Sequence, residues 1–351
     1  MFYDKIKLYR LFQFREDFMN SFGSLFRVHI YGESHGSGIG VLIDGVPSGI
    51  KLTLEDFTID LSKRKSGKLG TTPRKEDDIP KIISGVFNNF TTGAPINIFF
   101  ENKNTDSKVY TDFKSHPRPG HADFSATEKY SGFNDIRGGG HFSGRLTLGL
   151  VAAGVIAKKI LNNVIFSSEI ESIGLLDKTK FSEKLENYLI ETRNSGDSLG
   201  GTISLTIKNI PIGLGEPFFG STESVISSML FSIPGIKGVE FGAGFKGTEF
   251  LGSKFNDCFI DKNGKTSSNN NGGINGGITN GNDIFLKVAV KPTSSIFKPQ
   301  ETFNFKEGSI QTLKINGRHD VAFLLRVPII LENSVAIALA DLYLQNTKSI
   351  F

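Results

Sequence analysis

Alternation of apolar and polar residues marks the first predicted strand, at 24–31. A glycine-rich turn follows at 32–38, and the apolar run at 39–43 predicts a second strand directly after it. The same alternation, with many β-branched residues, predicts strands at 201–207 and 284–290. These patterns indicate antiparallel sheet, because each strand shows the two-residue period of one buried and one solvated face.

Helical periodicity marks a second set of elements. Small and aliphatic residues occupy nearly every side of a helix predicted at 143–161, so that helix is expected to be buried. A final amphipathic helix is predicted at 335–344. Further helices are predicted at 53–60, with Thr53 as N-cap, at 181–191 and at 221–229.

Two polar segments interrupt these elements. The segment 63–74 is basic, contains glycine and ends in Thr-Thr-Pro, which is typical of a mobile cationic loop. The segment 262–281 is rich in Asn, Gly and Ser, and its composition alone favours a flexible linker. Strands and helices do not alternate as they do in βαβ units, so a layered α+β fold is expected.

Composition narrows the functional classes. The 351 residues include one Cys, which excludes an intramolecular disulfide or a cysteine metal cluster and favours the reducing cytoplasm. Lys+Arg 40 against Asp+Glu 36 gives a net charge of +4, too weak by itself to indicate nucleic-acid binding. The apolar stretches at 146–157 and 321–344 are too short or are broken by charges, and residues 1–18 lack a signal peptide's apolar core. Neither a membrane span nor a signal peptide is expected.

Two glycine-containing segments carry histidines suited to acid–base chemistry. In 32–36 (GESHG), His35 is flanked by glycines that allow a ligand to approach the backbone. In 118–123 (RPGHAD), a Pro-Gly turn presents Arg118 and His121 together. A guanidinium binds phosphate or carboxylate, and a neighbouring imidazole can protonate a leaving oxygen.

Two further segments add cations and a carboxylate. In 137–145 (RGGGHFSGR), glycines precede the predicted buried helix and fit an anion or a flat ring against its N-terminus. In 317–320 (GRHD), Asp320 is close to Arg318. Taken alone, each of the four segments also has a plain structural interpretation: a histidine in a surface turn, a structural loop or a surface ion pair.

Together, the four segments predict one anionic site. Arginines and histidines share glycine-rich sequence, while the sequence lacks metal-ligand, P-loop and nucleophile-elbow motifs. The residues therefore indicate a phosphorylated small molecule processed by histidine and aspartate acid–base chemistry, without a metal. The arginines are Arg64, Arg118, Arg137, Arg145 and Arg318.

The order and content of these motifs resemble the chorismate synthase family over about residues 22–344. The resemblance implies a β-α-β sandwich, in which antiparallel sheets enclose a layer of helices, assembled as a cytoplasmic homotetramer. It also replaces the linker interpretation of 262–281 with a folded segment. The matching motifs are GESHGSGIGVLIDGVPSGI (32–50), RPGHAD (118–123), RGGGHFSGR (137–145), GLGEP (213–217), SIPGIKGVEFG (232–242), NNGGINGGITNG (270–281), KPTSSI (291–296) and GRHD (317–320).

The implied activity is that of a carbon–oxygen lyase acting on phosphate. It is the anti-1,4-elimination of phosphate and a ring proton from 5-enolpyruvylshikimate 3-phosphate, which gives chorismate in the last step of the shikimate pathway to aromatic amino acids. The resemblance implies a requirement for reduced FMN without net redox change, and an association with NADP. Because every segment is accounted for without a reductase domain, an external source of reduced flavin is expected.

The resemblance also assigns roles to individual residues. His35, with Ser34 beside it, is implied to donate a proton near the flavin, and His121 to protonate the departing phosphate. Asp320 is implied to assist removal of the ring proton. The implied substrate-binding residues are Arg64, Arg118 and Arg145. The implied FMN-binding residues are His141, Phe142, Ser143, Gly235, Gly276, Lys291, Pro292, Thr293, Ser294, Ser295 and Arg318.

The sequence departs from the family pattern in three places. His141 and Phe142 stand where many members have Arg and Ser, so ring packing is expected there in place of charge. One arginine is missing from the basic loop, where Lys68 is the nearest cation, and lysine does not replace a bidentate arginine. Residues 1–18 precede the family's usual start, so translation from Met19 is expected, with 19–351 as a single domain.

Three alternatives remain open at this point. An FMN-binding homologue without activity is compatible with the reduced basic loop. Another phosphate-eliminating lyase on the same scaffold would use the same residue types. A nucleic-acid-binding module is suggested only by the basic net charge and the RGGG sequence.

Overall fold

The computed structural model describes residues 20–72, 76–103, 113–317 and 319–348. The predicted extension at 1–18 and the start at Met19 lie outside these residues. The strands are β1 (Ser21–Phe22), β2 (Arg27–Gly32), β3 (Gly38–Asp44), β4 (Lys81–Ser84), β5 (Val86–Phe87), β6 (Phe90–Thr91), β7 (Ile96–Glu101), β8 (Ile165–Ile173), β9 (Leu176–Asp177), β10 (Gly201–Lys208), β11 (Ile236–Phe241), β12 (Ile274–Asn275), β13 (Ile278–Thr279), β14 (Ile284–Val290), β15 (Gln300–Asn304) and β16 (Ser309–Leu313). The α-helices are α1 (Thr58–Arg64), α2 (Asp123–Lys129), α3 (Thr147–Ile160), α4 (Phe181–Asn194), α5 (Thr222–Phe231), α6 (Gly252–Phe255) and α7 (Val327–Lys348).

Two five-stranded antiparallel sheets form the outer layers. The first has the order β1-β2-β3-β7-β4 and the second β11-β14-β10-β8-β9. Strand β14 shows how the pattern sets the register: Ile284, Leu286, Val288 and Val290 alternate inward and are buried. The strands predicted at 39–43, 201–207 and 284–290 are confirmed, and the one at 24–31 begins later, at Arg27.

A layer of helices lies between the sheets. Helix α3 packs on β3 of the first sheet and on α7, and α7 packs on β8 and β10 of the second sheet. The two helices approach closely at Gly154, where an added Cβ would lie 2.2 Å from the Cβ of Asn333. The predicted α+β class and β-α-β sandwich are therefore confirmed, and they place the most apolar helices in the centre.

The last helix differs from its prediction in length and in burial. The sequence predicts an amphipathic helix at 335–344, whereas α7 spans Val327–Lys348 and buries nearly every side chain from Val335 to Leu342. The segment Phe323–Asn346 is long and apolar enough to cross a membrane, but 72% of its apolar window is buried inside the protein. Its hydropathy reflects a position between two sheets, where no face of the helix meets water.

A buried carboxylate joins α7 to the first sheet. Asp341 accepts hydrogen bonds from the backbone N–H groups of Ser24, Leu25 and Phe26 at 2.7–3.0 Å. These bonds satisfy a buried charge that would otherwise be costly inside a helix layer. They also fix the turn that leads into β2, the strand before the first candidate segment.

The Asn/Gly-rich segment is folded, so the linker interpretation from its composition is wrong. Asp257 accepts bonds from Ser268 and from the backbone N–H groups of Asn270 and Asn271. A short hairpin of β12 and β13 follows. These hydrogen bonds hold the Asp257 pKa below its usual value, although burial acts in the opposite direction.

The chain is helical from its N-cap Thr53 to Arg64, and this stretch includes the start of the basic segment 63–74. Asp56 accepts from the backbone N–H of Thr53 at 2.7 Å, and a 3-10 turn at Leu54–Phe57 leads into α1. Helix α1 ends at Arg64, whose side chain is 1% exposed. The predicted mobile cationic loop is therefore wrong at its start, because Arg64 belongs to the core.

Candidate active site

A cavity of about 1130 Å³ is lined by residues from all four candidate segments. This volume exceeds the usual range of about 300–1,000 Å³ for small-molecule sites, so it has room for more than one ligand. Seven described cationic side chains face four acidic ones, which favours polyanionic ligands. The cations are Arg64, Lys65, Arg118, Arg145, Lys237, Lys291 and Arg326, and the acids are Glu76, Asp77, Asp78 and Asp320.

The glycine loop at Arg137–Phe142 provides the surface on which two histidines lie. Gly138, Gly139 and Gly140 have φ of +60°, +81° and +52°, the left-handed region that favours glycine. A Cβ on Gly138 would lie 2.3 Å from His35 Cδ2, and one on Gly139 would lie 3.3 Å from His121 Nε2. The glycines therefore bring the two imidazoles together, and a 3-10 turn at Gly144–Leu146 separates the loop from α3.

His121 is held by a carboxylate that it shares with Arg118. Its Nδ1 lies 2.6 Å from Asp123 Oδ1, and Arg118 donates to both Asp123 oxygens at 2.7 and 2.8 Å. Burial raises the pKa of Asp123, but hydrogen bonds from Arg118 and His121 outweigh it and hold that pKa well below its usual range. Asp123 is the last residue of the RPGHAD motif, and the sequence alone assigned it no role.

Arg118 and Arg64 make most of their hydrogen bonds with other groups of the protein. Arg118 uses Nε and Nη2 on Asp123, and its Nη1 donates to Ser295 at 3.0 Å. Arg64 donates through Nη2 to the carbonyls of Gly144 and Arg145 at 3.2 and 3.1 Å. Burial, reinforced by the charge of Arg326, lowers the pKa of Arg64 to about 9, which leaves it charged at neutral pH.

Arg145 differs because it keeps an uncommitted donor. Its Nη1 pairs with Asp78 at 3.0 Å and its Nε donates to Asn102. Its Nη2 is buried and has no hydrogen-bond partner among the described residues. An unsatisfied buried donor is costly, so an anionic ligand that accepts from it would be favoured.

Asn102 links Arg145 to the loop that carries His35. Its side-chain amide donates to the carbonyls of Glu33 and Gly36, both at 3.0 Å, while its oxygen accepts from Arg145. Asp78 similarly joins Arg145 to Arg64, at 3.0 and 3.5 Å. Sequence reasoning missed both residues, because neither lies in a glycine-rich motif.

The strap at Lys291–Ser295 forms a polar corner of the cavity. Lys291 Nζ donates to the Gly120 carbonyl and to Ser294, both at 2.6 Å. Burial, and next the charge of Lys237, lower the Lys291 pKa. Thr293 Oγ1 is buried without a hydrogen-bond partner among the described residues. Two close cations and a free hydroxyl favour a phosphate in this corner.

The last candidate segment contributes His319 and Asp320 to the cavity lining. Asp320 accepts from the backbone N–H of Thr72 at 2.7 Å and pairs with Arg326 at 3.3 Å, which fixes the carboxylate at the cavity wall. Burial, and next the charge of Arg118, lower the pKa of His319 to about 4. Its imidazole is therefore neutral at neutral pH, and its Nε2 has no partner among the described atoms.

The remaining predicted residues have different placements. His141 is hydrogen-bonded through Nδ1 to the Gly32 carbonyl and through Nε2 to Asn20, and the Phe142 ring lies 6.3 Å from the Tyr130 ring, tilted by 53°. Ser34, Ser143, Gly235 and Pro292 line the cavity with them. Gly276 lies outside the lining, in the turn between β12 and β13, and Arg318 lies outside the described residues. In the basic loop, Lys65 lines the cavity and Lys68 does not.

The lining fits a flavin mononucleotide. A Cβ on Gly235 would come no closer than 4.0 Å to Phe323 or Val290, so a ring has space beside this backbone. Thr293 Oγ1 and the Lys291–Lys237 pair match a phosphate tail. Within the described ranges, no group of three or more His, Cys, Asp or Glu side chains is arranged to hold a metal ion.

Comparisons with known proteins give matches over most of the chain. The family model described as chorismate synthase matches residues 26–344. A chorismate synthase from Chitinophaga pinensis is 55% identical over 333 residues, covering 94% of this chain and 98% of the relative. One from Pyrococcus abyssi is 42% identical and covers 91% of this chain and 96% of its own. A crystal structure of chorismate synthase aligns with a TM-score of 0.71 at 26% identity, covering 92% of this chain and 93% of that one.

Proposed function

This chain is a lyase of the chorismate synthase family, and from that premise we propose that it makes chorismate from 5-enolpyruvylshikimate 3-phosphate. The reaction is the anti-1,4-elimination of phosphate and a ring proton. The observation that carries the proposal is the convergence of His35, His121 and Asp320 on one cavity with an excess of cations. This convergence supports the proposal, because one phosphorylated substrate in the cavity would meet candidate proton donors, a candidate proton acceptor and anion-binding groups together.

The substrate is an anion with a phosphate and two carboxylates, and the cavity offers matching donors. Arg145 contributes its unsatisfied Nη2, and Lys65 adds a cation from the basic loop. Arg64 and Arg118 contribute charge, while their hydrogen bonds to backbone carbonyls and to Asp123 hold the walls of the site. Charge stabilisation of this kind is most effective in a site that excludes water.

Proton transfer is assigned to His121 and Asp320. As the allylic carbon–oxygen bond breaks, His121 Nε2 gives its proton to the departing phosphate oxygen. Asp320 is an acceptor-only carboxylate held by Thr72 and Arg326, and it receives the ring proton. The substrate thus loses one phosphate and one proton, and a new double bond remains.

Reduced FMN, when bound, supplies transient electron density that helps an otherwise reluctant allylic phosphate to leave. Lys291, Thr293, Ser294 and Ser295 would hold its phosphate end, and Gly235 gives space for the ring. His35 packs on the glycine loop and would serve as a proton donor to the bound flavin. The flavin is reduced elsewhere, and the proposed setting is a cytoplasmic homotetramer in aromatic amino acid biosynthesis.

Anaerobic turnover tests the proposal. Purified protein is mixed with 5-enolpyruvylshikimate 3-phosphate and dithionite-reduced FMN, and chorismate is followed by absorbance. Chorismate formation with reduced FMN, and none with oxidised FMN, is expected. A protein that binds both ligands without forming chorismate would be an inactive homologue, and a different product would indicate another lyase.

A further inference from the structure

We propose that Asp123 is a positioning residue that fixes the tautomer and the orientation of His121 for proton donation from Nε2. The inference deepens the proposed function and rests on it, since it concerns the group assigned to protonate the leaving phosphate. Asp123 does not line the cavity, so it acts on the reaction through His121.

The geometry requires a proton on Nδ1 of His121. Asp123 Oδ1 lies 2.6 Å from that nitrogen. The carboxyl stays ionised because Arg118 donates to both of its oxygens, and an ionised carboxylate only accepts hydrogen bonds. Arg118 Nη2, which can only donate, also lies 3.1 Å from Nδ1 and 3.2 Å from Nε2, and of these two nitrogens Nε2 is the one without a carboxylate partner. Nδ1 must therefore be the donor, which leaves Nε2 as the nitrogen that gives or takes a proton in the cavity.

Arg118 makes this arrangement rigid. Asp123 Oδ2 accepts from the Arg118 backbone N–H at 3.1 Å and from Nε at 2.7 Å, while Oδ1 accepts from Nη2 at 2.8 Å. The carboxylate thus has fixed donors on both oxygens and cannot turn away from the imidazole. Asp123 is 4% exposed, so water does not compete for these bonds.

The proton balance assigns each group one task. The Nε2–H bond of His121 breaks and an O–H bond forms on the phosphate, which leaves with the electrons of the carbon–oxygen bond. His121 is then neutral. Its remaining proton stays on Nδ1 and is hydrogen-bonded to Asp123, which is ionised throughout. The same arrangement of carboxylate and imidazole sets the tautomer in hydrolase triads.

In the variant Asp123→Asn, the arginine donors determine the orientation of the new side-chain amide. Its amide oxygen is expected to occupy the Oδ2 position, because two N–H donors of Arg118 point there and only one, Nη2, points to Oδ1. The amide NH₂ then faces Nδ1 of His121, which has to accept. The variant therefore moves the proton of neutral His121 from Nδ1 to Nε2.

Ring-nitrogen NMR of ¹⁵N-histidine-labelled protein tests this without any turnover. At a pH where His121 is neutral, wild-type protein should show a protonated Nδ1, and Asp123→Asn a protonated Nε2. His121→Ala assigns the signals. A protonated Nε2 in the neutral wild type would overturn the proposal even if the Asn variant failed to fold.

Kinetics then separate positioning from simple structural support. Asp123→Asn should lower kcat by about 10²–10⁴-fold, as loss of a general acid does, and should have less than about 3-fold further effect in a His121→Ala background. An equal loss in both backgrounds would contradict action through His121. Asp177→Asn, which alters a hydrogen-bonded carboxylate outside the cavity, is the control and should keep wild-type turnover. If wild-type protein makes no chorismate, the proposed function fails while the NMR result still decides the role of Asp123.

Discussion

Replacing Gly138 with alanine tests whether the glycine loop exists to hold His35. The new methyl group would lie 2.3 Å from His35 Cδ2 and 3.0 Å from Ser34 Oγ, whereas ordinary contact begins at 3.4 Å. The imidazole must therefore move by about 1.1 Å, the difference between 3.4 and 2.3 Å. A displacement of about 1 Å in a catalytic group can cost about 10²-fold in rate.

The substitution also has a backbone cost that must be separated from the steric one. Gly138 has φ +60°, where alanine is disfavoured by roughly 1–2 kcal/mol. Gly308 has φ +67° and no atom within 4 Å of an added Cβ, so Gly308→Ala has the backbone cost alone. Both variants should lose about 1–2 kcal/mol of unfolding free energy in urea, and Gly138→Ala somewhat more.

Turnover distinguishes the two variants. Gly138→Ala should reduce kcat in the reduced-FMN assay by about 10²-fold, while Gly308→Ala should match wild type at a temperature where both are folded. Wild-type kcat in Gly138→Ala would refute the reasoning, because it would mean that the position of His35 does not matter to the reaction.

Four further outcomes follow from the same site. His121→Ala should lower kcat by roughly 10²–10⁴-fold with an unchanged circular dichroism spectrum, and near-wild-type turnover would remove it as the proton donor. His35→Ala should slow turnover and weaken binding of reduced FMN, measured by anaerobic titration; an unchanged rate and affinity would argue against its role. Arg145→Lys should raise the substrate KM by roughly 10- to 100-fold, because lysine cannot replace the Nη2 donor while keeping the Asp78 and Asn102 contacts, and an unaltered KM would show that this donor is not used. The folded-state pKa of His319 is lowered from 6.5 to about 4, so protonation favours the unfolded chain and stability falls as the pH drops from about 6.5 towards 4; His319→Gln should lose less unfolding free energy than wild type over that range, and parallel urea curves would contradict the assignment.

The sheets and the central helices were predictable because their patterns are local. Strand β14 matches its prediction at both ends, and α3 was expected to be buried from its apolar residues on every side. The end helix α7 is longer than its prediction at both ends, since it spans Val327–Lys348 and not 335–344. In the structure Asp341 is satisfied by backbone N–H groups about 315 residues away, a long-range contact that no local pattern reveals.

The chemistry-bearing residues were easier to find than the residues that hold them. His35, His121 and Asp320 stand out in glycine-rich segments, and the structure brings them to one cavity. Asp78 and Asn102 lie in ordinary polar sequence and matter only through contacts made in the fold. The composition of the Asn/Gly tract predicted a flexible linker, which is wrong. Asp257 folds the tract through hydrogen bonds, and composition alone does not reveal such contacts.

The most direct test of the central claim is the stoichiometry of one anaerobic reaction. Chorismate, inorganic phosphate and the flavin spectrum are recorded together after substrate is added to protein with reduced FMN. Equal amounts of chorismate and phosphate, with the FMN still reduced at the end, are predicted for an elimination without net redox change. Phosphate release without chorismate, or oxidation of FMN in step with substrate loss, would contradict the proposed reaction.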